Sequence, residues 1–108
     1  LNVPKLIIKY EDLLENTKET LIKIVNFFQN KYPIKFRNLD EKIDNIILTT
    51  KFEILKNHEQ KYGFSESSKN SNFFRIGKKN QWEKTLTNEQ IRSIEGAFEK
   101  KMKEFNYL

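Results

Sequence analysis

Apolar residues recur at helical spacing along most of the chain, and the stretch that breaks this rule comes first. Lys5-Leu6-Ile7-Ile8-Lys9-Tyr10 is a short branched run following Pro4, which suits a buried strand better than a helix. A lone strand leaves its backbone donors and acceptors unpaired, so this reading expects partner strands upstream. Asn16 with Glu19 forms a capping pair, and Leu21, Ile24, Val25 and Phe28 then fall at i, i+3, i+4 and i+7. That spacing predicts a helix to about residue 30, ended by Tyr32-Pro33.

Within Leu39 to Thr49, Ile43, Ile46 and Ile47 repeat the helical spacing after a cap at Asp40. Thr50 with Glu53 predicts a further cap and a helix to about Gln60. Gly63 through Asn72 is rich in Ser, Asn and Lys and is expected to be a surface loop. Thr87 with Gln90 is a capping box, followed by Ile91, Ile94, Phe98, Met102 and Phe105 on one face, with Asn106 as the left-handed residue that ends the helix. The expected architecture is mainly α, with one N-terminal strand and about four helices, and no internal repeat.

Length and composition change this picture in one respect. A chain of 108 residues with 37% hydrophobic residues has little material for a core of its own, since domains of this size bury only about 60–70% of their unfolded surface. The expectation is therefore a piece of a larger fold, and its exposed strand predicts marginal stability or self-association when isolated. Cysteine is absent and His58 stands alone, which excludes a disulfide framework and a thiolate metal site. The longest apolar runs fall far below the roughly 20 residues that cross a bilayer, so the reading is a soluble protein without a membrane partner. The net charge of +5 favours an anionic partner, although scattered lysine is also what a solvated face looks like.

The segment Ser71-Asn72-Phe73-Phe74-Arg75-Ile76-Gly77-Lys78-Lys79-Asn80-Gln81-Trp82 combines aromatics, a guanidinium, a glycine and two lysines outside any helical pattern. Arg offers a planar fork of donors for phosphate oxygens, and a neighbouring glycine lets backbone amides approach an anion. An aromatic ring can stack on a purine for about 1–3 kcal/mol. On residue types alone, ordinary core packing is the better reading of Phe73, Phe74 and Trp82.

Three separated stretches resemble the C-terminal half of the cytosolic-type sulfotransferases, in the family's order and at compatible spacing. They are Tyr10-Glu11-Asp12-Leu13, Thr50-Lys51-Phe52-Glu53, and Phe73-Phe74-Arg75-Ile76-Gly77 with Trp82 and Leu86-Thr87. The terminal Asn106-Tyr107 stands where the family often ends in Gly-Tyr. The resemblance implies an α/β, P-loop-like domain that takes 3′-phosphoadenosine 5′-phosphosulfate (PAPS) as sulfuryl donor, uses no metal, and delivers the group to an alcohol or amine. It makes residues 1–108 the C-terminal part of a single cytoplasmic sulfotransferase domain, with the phosphosulfate loop and the catalytic base lying upstream.

The same resemblance implies site roles. Phe73 and Phe52 would line the adenine pocket with Thr50, Arg75 and the Gly77 backbone would hold the 3′-phosphate, and Tyr10 would contact the base side of the nucleotide. Trp82 would close the loop over the cofactor as a structural residue. None of these is catalytic, and His58, on the helix after Thr50-Lys51-Phe52, matches no catalytic position. Two departures stand out. Ile76 replaces a second basic residue, which shifts phosphate charge to Lys78, Lys79 or upstream groups. Glu83, Asn88 and Arg92 replace the Lys, Val and Glu of the family's dimer motif, so that dimer is not expected. The alternatives are a basic helical nucleic-acid-binding module, against which stands the lack of a concentrated basic helix face, and a helical protein-interaction module.

Overall fold

The computed structural model describes residues 2–108, and in them the chain forms six α-helices and no sheet. They are α1 (Tyr10–Glu15), α2 (Thr17–Lys31), α3 (Leu39–Thr49), α4 (Phe52–Tyr62), α5 (Trp82–Thr85) and α6 (Asn88–Glu104). The expected strand over Lys5–Tyr10 does not form. Residues 2–9 carry no regular structure, because no second strand among the described residues stands beside them to complete a ladder. Tyr10 instead opens α1, whose first turn holds Glu11 and Asp12, charges that suit a helix N-terminus.

The α1–α2 junction is a helix broken at Asn16, with φ −126° and ψ 50°. The Asn16 side chain caps nothing, contrary to expectation. Hydroxyls do the work from the other direction. Thr17 Oγ1 donates to the Leu13 carbonyl at 2.6 Å, one of the acceptors at a helix end, and Thr20 Oγ1 donates at 3.1 Å to the Asp12 carbonyl, which also accepts the Asn16 amide. α2 then packs on α3, where Ile43, only 2% exposed, is the sole buried hydrophobic among the described residues. An exposed Lys18–Asp44 ion pair at 2.8 Å spans the two helices and adds little.

Two other caps also sit differently. α3 follows Asn38 in the left-handed conformation at φ 51°, which Asn tolerates better than most residues, and Asp40 lies in the first turn rather than at the cap. Thr50 does not cap α4. Its hydroxyl donates back to the Ile46 carbonyl at 2.6 Å, closing α3, and Lys51 becomes the α4 N-cap with no side-chain bond.

The C-terminal half follows its local code more closely. Thr87 and Gln90 form the reciprocal capping box, with bonds of 2.9 and 3.2 Å. Asn106 adopts φ 58°, and the Tyr107 and Asn106 amides donate to the Met102 and Lys103 carbonyls at 2.7 and 3.1 Å, the paired bonds of a Schellman ending. The single turn α5 was not expected. The apolar stripe of α6 forms, yet Phe98 on it is 59% exposed. The radius of gyration is 17.8 Å, against about 13 Å for a compact domain of a hundred residues. The helices are thus held by junctions and caps more than by a shared core.

Candidate functional site

A cleft of about 380 Å³ opens where the start of α1, the end of α3 and the start of α4 meet. Tyr10, Thr50, Lys51, Phe52 and Gly77 line it, over a floor that includes Leu13 and Leu55. Four of the residues expected at a nucleotide site, drawn from three separated stretches, therefore share one cavity. The start of α4 faces it. Amides of a first helical turn have no intrahelical acceptors and Lys51 leaves them uncapped, a setting that suits an anion, with Glu53 of the same turn as an opposing charge.

Gly77 is fixed there by shape. Its φ is +64°, and a Cβ built on it would stand 2.4 Å from Phe52 Cδ2 and 2.7 Å from Cε2 and Cγ. The backbone lies directly against the Phe52 ring, so glycine is required both for the torsion and for the approach.

The loop that ends at Gly77 is held to one face of α4. Glu59, 6% exposed, accepts the amides of Phe73 and Phe74 at 2.7 and 2.9 Å and also bonds Ser67 Oγ. Burial pushes the Glu59 pKa up, but the hydrogen bonds from Ser67 and the two amides outweigh it and leave the carboxyl below its ordinary value. It is ionised at neutral pH. One turn earlier, Lys56 Nζ donates to the Arg75 carbonyl at 3.2 Å and lies 5.8 Å from the centre of the Phe52 ring. Farther along, Lys79 pairs with Glu15 of α1, and the Tyr107 hydroxyl donates to Glu11 at 2.9 Å, so both the loop and the C-terminus are tied to the helix that carries Tyr10.

Two expected residues stand apart from the cleft. Phe73 is 54% exposed and packs on Phe64 and Phe74, with ring centroids 5.0 and 5.1 Å away. It is Phe74 whose ring meets Phe52, edge-on at 6.2 Å. Arg75 is exposed, and among the described residues its guanidinium has no ion-pair partner. It sits two positions before Gly77, with only its carbonyl anchored. Of the lysines expected to replace the missing basic residue, Lys79 is engaged by Glu15. Trp82 lines a different groove of about 240 Å³ between α5 and α6, with Leu86, Ile94, Met102 and Tyr107. That groove shares no lining residue with the cleft and contains the carboxylate of Glu95 but no cation, a poor setting for a phosphate. His58 is exposed beside Tyr62.

Sequence reasoning passed over Glu59 and Lys56. Their signal was available in the spacing: with Phe52 they fall at i, i+4 and i+7 on one face of α4.

A family model described as the sulfotransferase domain matches residues 4–106. The chain belongs to the sulfotransferase family. No solved structure matches it. The matched span of this sulfotransferase contains every residue that lines the cleft and the whole of the loop held on α4, and the family's chemistry is transfer of a sulfuryl group. No helix among the described residues of the sulfotransferase is long and apolar enough to cross a membrane.

Proposed function

We propose that this chain supplies the adenosine and 3′-phosphate side of a PAPS site, within a P-loop-like domain that transfers a sulfuryl group to an alcohol or amine. The observation that carries the reading is the meeting of Tyr10, Thr50, Phe52 and Gly77 in one cleft. The fit to a nucleotide rests on Gly77, which lets the loop backbone lie directly against the Phe52 ring, and on Lys51 in the lining beside the uncapped start of α4.

In this reading the free part of the Phe52 ring takes the purine face, with Tyr10 and Thr50 at the edge of the base. Arg75 swings its unpaired guanidinium to the 3′-phosphate, where a bidentate, charge-assisted pair forms beside the Gly77 amide. Phe73 supports the loop through Phe64 and Phe74, and acts on the base through Phe74 and Phe52. PAPS, when bound, contributes a sulfuryl group on a good phosphate leaving group. The residues described here bind and orient, which lowers the barrier by placing donor and acceptor in line; the base that takes the acceptor's proton is not assigned to any of them.

The test is linkage. In the full-length protein, 3′,5′-bisphosphoadenosine is expected to raise the melting temperature more than AMP at equal concentration, because only the former carries the phosphate that Arg75 would read. Equal shifts, or none, contradict the proposal.

A further inference from the structure

We infer that Glu59 is a positioning residue for this site: its carboxylate, with Lys56 and Phe52 along α4, sets the height and register of the loop that carries Arg75 and Gly77. The inference rests on the nucleotide reading above, and Glu59 and Lys56 do not themselves line the cleft.

The geometry is a ladder of three rungs. Glu59 holds the amides of Phe73 and Phe74, Lys56 holds the carbonyl of Arg75, and the Phe52 ring lies under Gly77. Helix positions 59, 56 and 52 thus meet loop positions 73–74, 75 and 77 in reverse order, so the loop runs antiparallel along one helix face. The lengths agree. Seven residues of helix rise about 10 Å, which is within the reach of the four residue steps from Phe73 to Gly77 even with bends at Phe73 and Arg75. Each rung acts on backbone or on a glycine, so the ladder specifies where the loop lies without fixing the Arg75 side chain, which stays free for a ligand.

Glu59 is the rung with the most specific chemistry. Its Oε1 accepts from Phe73 and its Oε2 from Phe74, so two successive amides are gripped by the two oxygens of one ionised group. Burying a carboxylate is unfavourable unless it is fully bonded, and here three donors from the loop, Ser67 included, meet it. A glutamine cannot replace it. An amide has one acceptor oxygen, and its NH₂ would face an N–H donor. Upstream of the latch the chain from Gly63 to Asn72 has no helix and one isolated bridge, Ser68 to Ser71, so with the latch released Arg75 is tied to α4 through Lys56 and the contacts with Phe52 alone.

The discriminating experiment is calorimetric titration of the full-length wild-type protein and of E59Q with 3′,5′-bisphosphoadenosine and with AMP. A misplaced loop should cost the 3′-phosphate contact first. Affinity for the bisphosphate is expected to fall about tenfold, the equivalent of one charge-assisted bond, while AMP affinity changes much less, so the preference between the two collapses. Equal weakening of both nucleotides, or no change, would reduce Glu59 to a structural residue and overturn the inference. A wild-type protein with no preference would fail differently, removing the nucleotide reading and the positioning role together. Should E59Q fold poorly, K56M cuts the neighbouring rung on an accessible side chain. It is expected to erode the same preference in the same direction, and an unchanged preference in K56M would then overturn the inference.

Discussion

Replacing Gly77 with alanine is expected to raise the dissociation constant of the full-length protein for 3′,5′-bisphosphoadenosine by roughly a hundredfold, the combined effect of torsion and overpacking. At φ +64° a residue with a Cβ meets its own carbonyl, and here the Cβ also enters the Phe52 ring at 2.4 Å. Phe74 packs edge-on against the ring, and the open space beside it is the cleft. Either the ring swings into the space proposed for the base, or the loop lifts and takes Arg75 with it. Calorimetry on the variant checks this. Affinity near that of the wild type would mean that the loop and ring do not meet in the bound protein.

Arg75→Ala is expected to weaken binding of the same bisphosphate by about 10- to 100-fold, as loss of a charge-assisted pair of about 1.5–3 kcal/mol requires. AMP affinity and the melting temperature of the unliganded protein should hardly move. The reason is that the Arg75 side chain is exposed and has no ion-pair partner among the described residues, so its removal leaves no buried group unsatisfied. A variant that loses folded protein in proportion to affinity would assign Arg75 a structural role.

These two positions show what the sequence made legible. Where structure is decided within a turn or two, as in the Thr87–Gln90 box, the α6 stripe and the left-handed Asn106, spacing and residue type were sufficient. They failed where one residue could serve two elements. Thr50 lies between α3 and α4 and is equally placed to cap either; the structure uses it to close the first. Strand expectation at Lys5–Tyr10 rested on residue type alone, and a strand exists only with a partner. The one-turn α5 is too short to produce any period.

The candidate site was legible in a similar, partial way. Tyr10, Thr50, Phe52 and Gly77 were identifiable through the family resemblance, and the fold brings them to one cleft. Which of the adjacent Phe73 and Phe74 turns toward Phe52 depends on loop torsions that no pattern encodes. Glu59 went unnoticed because its partners lie 8, 14 and 15 residues away, and a glutamate on a charged helix looks like any solvated residue until the loop closes over it. Lys79 was read as phosphate charge for the same reason, since its pairing with Glu15 spans 64 positions.

A crystal structure of the full-length protein with 3′,5′-bisphosphoadenosine is the most direct test of the central claim. The adenine should lie against Phe52 in the cleft between α1 and α4, with the 3′-phosphate within hydrogen-bonding distance of the Arg75 guanidinium and the Gly77 amide. A nucleotide bound away from this cleft, or one seated in it with its 3′-phosphate in solvent and Arg75 turned aside, would contradict the account.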